Sequence, residues 1–129
     1  MTSRDHARLM LEKASDDAVA LRKLAADAEI ADALVGFHAQ QAVEKALKAV
    51  LSAHDRAYPW THDLRHLIEL LDEAGEPLPD RLSDVRRLTP WAVEFRYGGT
   101  IEDDLDRPAA VALVDDALAW AQAHVREDA

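Results

Sequence analysis

Small and apolar residues fall at Ala7, Leu11, Ala14, Ala18, Leu21, Ala25 and Ala28, in alternating steps of four and three. That spacing draws one stripe along a helix, and no alternating strand pattern competes with it anywhere in the chain. Alanine dominates the stripe, so a partner helix can approach closely. The same rhythm returns near the C-terminus at Val111, Val114, Leu118, Ala121 and Val125. A second helix, about residues 30–53, carries Ala33, Leu34, Phe37, Val43, Leu47, Val50 and Leu51 on its apolar side. No Pro or Gly separates it from the first, so a tight turn near residues 26–30 rests on the shift of apolar phase. One long helix is the competing reading, although an uncapped helix of that length is unusual in a globular protein.

Local signals mark the other boundaries. Thr2 followed three positions later by Asp5 resembles a capping box. Residues 54–61 hold Asp55, Pro59, Tyr58 and Trp60, a loop whose rings are expected to fold back on the bundle. Thr61 is then placed to cap a short helix with Leu64, Leu67, Ile68 and Leu71 at helical spacing, ended by Gly75. Glu76-Pro77-Leu78-Pro79 reads as an extended connector. Leu82, Val85 and Leu88 start a fourth helix that Pro90 must break, kink or restart. Trp91 to Tyr97 continues it, Gly98-Gly99 ends it, and Asp106 caps the last helix ahead of Pro108. The expected architecture is a single all-α domain over residues 1–129, an antiparallel up-and-down bundle of four to five helices.

Composition narrows the function classes. The 129 residues hold 15 Lys and Arg against 25 Asp and Glu, a formal charge of -10, which disfavours broad binding to nucleic acid or to anionic membrane. The absence of cysteine removes disulfides, thiolate metal sites and cysteine nucleophiles. No apolar run approaches the roughly 20 residues of a membrane span, and the first residues lack the apolar core of a signal peptide, so a cytoplasmic protein is expected. The serines lie in no nucleophile elbow, and no glycine-rich phosphate loop exists. His62 and His66 stand at i,i+4 with Asp63 nearby, but no further ligand pattern supports a metal, and none is expected. Trp60, Trp91 and Trp120 read as core or interface aromatics.

The most informative block is Phe37-His38-Ala39-Gln40-Gln41-Ala42-Val43-Glu44-Lys45-Ala46-Leu47-Lys48-Ala49. Gln41, Glu44 and Lys48 share one helix face, and a solvated Glu44-to-Lys48 pair at i,i+4 is the plain reading of it. Together with Thr61-His62-Asp63-Leu64 and Arg96-Tyr97, in that order, the block resembles the HEPN domain over nearly the whole chain. The resemblance implies an up-and-down bundle with this block on the second long helix. It also implies homodimerisation through the long helices and one of three roles: RNA-cleaving toxin, partner of a separately encoded minimal nucleotidyltransferase in a toxin–antitoxin-like pair, or nucleotide-binding module.

In the ribonuclease members an Arg-x4-6-His motif near the start of a late helix supplies a general acid or base and a guanidinium for the developing phosphorane charge. No histidine follows Arg96 here. Arg56 and His62 satisfy the spacing formally, as candidate catalytic residues, but flank a Pro-containing loop between the second and third helices. Near the helix start, the His62 ring has a structural alternative, capping that helix or bridging to the second one. Arg96-Tyr97 is similar to the Arg-Tyr-Pro element of the non-nuclease branch, with Gly98 in place of proline. Arg96 offers a planar, permanently charged fork, which Glu94 or Glu44 can pair. If Lys48, His62 and Arg96 converge, they form a local anion site. The resulting expectation is a binding or regulatory domain without cofactor. Its candidate ligand-binding residues are Gln41, Glu44, Lys48, His62, Arg96 and Tyr97; a small-nucleotide module and a metal-independent ribonuclease are the alternatives.

Overall fold

The computed structural model describes residues 2–92 and 104–126. Helix α1 spans Ser3–Ala25, α2 Asp32–Ala53, α3 Leu64–Glu73 and α4 Arg107–Arg126, with a 3-10 segment over Asp80–Leu88 between α3 and α4. All regular structure among the described residues is helical. The capping box at α1 is complete: Thr2 Oγ1 accepts from the Asp5 amide at 3.0 Å, and the Thr2 amide donates to Asp5 at 3.1 Å. Hydrogen bonding from the Thr2 amide, and next from the Thr2 side chain, favours the ionised form and holds the Asp5 carboxyl below its ordinary 3.8.

α1 ends at Ala25 rather than near Ala28, which is exposed in the following turn. What holds this breaker-free turn is Arg107, at the start of α4. Its Nη1 donates to the carbonyls of Leu24, Ala25 and Asp27 at 3.4, 3.3 and 3.0 Å. Nη2 donates to the Ile30 carbonyl, and Nε donates to Asp32 at 2.8 Å. One guanidinium thus satisfies carbonyls at the α1 terminus and in the turn, and draws the first residue of α2 beside them. Asp106 caps α4 as expected, accepting from the Ala109 amide at 3.0 Å.

Two helices end on the same hydrogen-bond pattern. After α3, Gly75 has a positive φ of 79°, its amide donates to Asp72, and the Glu76 amide donates to Leu71. After α2 the left-handed residue is Asp55, with φ 56°; its amide donates to Ser52 and that of Arg56 donates to Leu51. Both are Schellman endings, and aspartate is among the few side chains that tolerate that conformation. At α3 the cap is Asp63, which accepts from the Arg65 amide; Thr61 instead accepts from the Asp63 amide one step outside. The expected fourth helix begins as 3-10 turns, and a helical restart at residues 89–92 includes Pro90 near its start, where a missing amide hydrogen leaves no bond broken.

Ala7 on α1, Ala49 on α2 and Val125 on α4 meet at one end of the bundle, while Arg107 joins the opposite ends. α1 therefore runs antiparallel to both α2 and α4. The buried side of α1 is the alanine stripe, Ala7, Ala14 and Ala18 with Leu21. α4 buries Ala110, Val114, Ala117 and Ala121, so its inward stripe lies partly one position away from the expected one. α2 is the central element, buried on nearly all sides because the other elements surround it. Val35 and Gly36 are buried there, whereas Ala33, Leu34 and Phe37 keep partial exposure. Gly36 is required by a close approach: a Cβ on it would lie 2.4 Å from the ring of Trp91. Trp91 and Trp120 belong to the core, but Trp60 is 83% exposed.

Candidate functional site

The central position of α2 changes what its polar face means. Gln40, Gln41, Glu44 and Lys48 are buried, with Glu44 only 4% and Lys48 9% exposed. The expected wet i,i+4 pair exists, but inside the molecule: Lys48 Nζ donates to Glu44 Oε2 at 3.0 Å. A second helix face would be solvated only if α2 lay at the edge of the bundle. Here the loop 54–63 and the start of α3 cover that face, and their residues complete the cluster.

Glu44 is the hub. Its Oε1 accepts from Gln40 Nε2 at 2.9 Å and lies 2.7 Å from His62 Nδ1, while Oε2 takes the Lys48 ammonium. Gln40 Nε2 also donates to the His62 carbonyl at 3.1 Å, and Gln41 donates to Gln40 at 2.7 Å. An ionised carboxylate only accepts, so its short contact with His62 requires a proton on Nδ1. His62 Nε2 is then left buried with no hydrogen-bond partner among the described residues. The exposed Trp60 ring stands edge-on to the imidazole, with centroids 4.8 Å apart. His62 thus bridges the α3 side to α2.

Lys48 has a second contact, the face of Tyr58 at 5.4 Å from the ring centroid. The Tyr58 hydroxyl is 2.7 Å from His6 Nε2 on α1. Tyr58 therefore folds back on the bundle as expected and separates the buried cluster from an open groove of about 520 Å³. Ser3, His6, Ser52, Asp55, Arg56 and Tyr58 line that groove.

Of the sequence candidates, Gln41, Glu44, Lys48 and His62 come together, with the one Glu44 carboxylate in hydrogen-bond contact with both Lys48 and His62. Arg56 belongs to the groove, whose lining does not include His62. Arg96 and Tyr97 lie outside the described residues, as do Gly98, Gly99 and the acidic stretch at 102–103. His66 is exposed, and no group of three His, Cys, Asp or Glu among the described residues is placed to hold a metal ion. Sequence reasoning did not single out Gln40, which completes the Glu44 bonds, or His6, which anchors Tyr58. The repeated Gln40-Gln41 pair one turn before Glu44 was the available signal for the first; His6 had none, since its partner lies 52 residues away.

The class defined by this fold and site is an all-helical bundle whose central helix carries a buried, carboxylate-centred polar cluster. The HEPN domain model matches residues 7–124, and the chain belongs to that family. No curated protein and no solved structure matches it. No helix among the described residues is long and apolar enough to cross a membrane.

Proposed function

We propose that this HEPN domain is a binding or regulatory module, active as a homodimer and paired with a separately encoded minimal nucleotidyltransferase. The observation that supports it is the closed network around Glu44. An RNA phosphate seeking Lys48 and His62 must compete with a buried carboxylate already bonded to both. Arg56, the guanidinium that the Arg-x4-6-His spacing pairs with His62, lines a separate groove. A buried polar network of this kind serves to fix how the loop and α3 dock on α2.

Family membership supports the homodimer, since HEPN domains commonly dimerise. With α2 almost wholly buried within the chain, the outer faces of α1 and α4 are the long-helix surfaces left for a second copy; Val19 on α1 is one of the two large hydrophobic residues exposed among the described residues. The test is purified chain, alone and with the co-expressed nucleotidyltransferase, incubated with mixed RNA. The expected result is intact RNA, a dimer mass by light scattering and co-purification of the two proteins. RNA cleavage that vanishes in His62→Ala would establish the ribonuclease reading instead.

A further inference from the structure

The groove beside Tyr58 has features that the cluster around Glu44 does not explain. Its floor is Ser52, in the last turn of α2, 7% exposed, with a hydroxyl that forms no hydrogen bond among the described residues. A buried helix serine ordinarily bonds back to the carbonyl four residues earlier or points at solvent. This one opens into the groove instead. On the rim, Arg56 is exposed and makes no ion pair among the described residues. Its backbone amide donates to the Leu51 carbonyl at 2.8 Å in the Schellman ending, so the guanidinium starts from a fixed base.

The third side is the first turn of α1. The capping box uses the amides of Thr2 and Asp5, and the His6 amide donates to the Thr2 carbonyl. The Ser3 amide has no partner among the described residues, at the positive end of the helix dipole. Lys48 stands over the Tyr58 ring and is not part of the groove lining. Donors therefore converge from α1, from α2 and from the loop on one space whose volume falls in the range of small-ligand sites, about 300–1,000 Å³.

Asp55 supplies the one exposed acceptor charge in the lining. It limits the ligand to a single compact anionic group accompanied by hydroxyls that Asp55 can accept from. We infer that this groove binds a small phosphorylated polyol, with the phosphate on Ser52, Arg56 and the α1 amide and the sugar hydroxyls toward Asp55. The site is separate from Glu44 and does not depend on the partner reading above.

Ribose 5-phosphate titrated into the full chain, followed by amide NMR, tests it. Saturable shifts confined to residues around Ser3, Ser52, Arg56 and Tyr58 are expected, with inorganic phosphate weaker and ribose alone inert. Arg56→Gln changes an exposed side chain and should weaken binding about tenfold, the loss of one charge-assisted hydrogen bond. Ser52→Ala should weaken it less, with the fold intact. No saturable shift at millimolar ribose 5-phosphate, shifts spread over the outer surface, ribose binding as well as its phosphate, or unchanged affinity in both variants would each overturn the inference.

Discussion

Changing Glu44 to Gln keeps the side chain's shape and removes its charge, so it isolates what the carboxylate does. Three bonds converge on Glu44, at 2.7, 2.9 and 3.0 Å, and the residue is almost inaccessible to water. The substitution leaves the Lys48 ammonium buried without a counter-charge, and removing one partner of a buried pair costs about 3–5 kcal/mol. The amide oxygen introduced by the substitution can still accept from Lys48, which offsets about 1 kcal/mol, so a net loss of about 2–4 kcal/mol is expected. With a urea m-value of about 2 kcal/mol/M for a domain of this size, the unfolding midpoint falls by about 1–2 M. Lys48→Met in the Glu44→Gln background should recover most of that loss, because an apolar replacement no longer needs the charge. A loss below about 1 kcal/mol, or no recovery in the double variant, would mean that the pair is solvated and Glu44 is no hub.

Further perturbations test the rest of the architecture. Gly36→Ala drives a methyl into the Trp91 ring and should cost about 1–3 kcal/mol by overpacking. In a Trp91→Leu background the same change should become stabilising by up to about 1 kcal/mol, the helix-propensity gain of alanine over glycine, both read from thermal melts. Arg107→Ala strips the turn at 26–31 of its carbonyl partners and should cost about 2 kcal/mol, with faster amide exchange confined to the α1–α2 turn. Thr2→Ala should cost about 1 kcal/mol and raise the Asp5 carboxyl toward its ordinary value in an NMR titration. In the intact chain the Asp5 carboxyl is depressed, so its stabilisation is complete above the ordinary carboxylate range and is lost as pH falls through the lower folded value.

The three long helices and the capping box were legible because periodicity and caps are local. The Asp106 cap and the Gly75 ending were legible for the same reason. The burial of Glu44 and Lys48 was not, because i,i+3 and i,i+4 spacing shows that they share a face and not whether another element covers it. The cover comes from residues 54–63, which carry no periodic signal of their own. Arg107 escaped notice because its partners are mainly backbone carbonyls 77–83 residues away, and carbonyls leave no trace in side-chain identity. The 3-10 segment was read as a helix because Leu82, Val85 and Leu88 repeat every three residues, a step that both helix types share. The Glu44–Lys48 pair was legible from its i,i+4 spacing and the convergence of Lys48 with His62 was only a condition; that the same carboxylate also meets His62 emerged from the geometry.

The claim that Glu44 closes the site is tested most directly by the ring nitrogens of His62 in a long-range proton–nitrogen spectrum. The account predicts that Nδ1 carries a slowly exchanging, downfield proton that is lost in Glu44→Gln. A His62 ring with its proton on Nε2, exchanging freely and indifferent to Glu44→Gln, would contradict it.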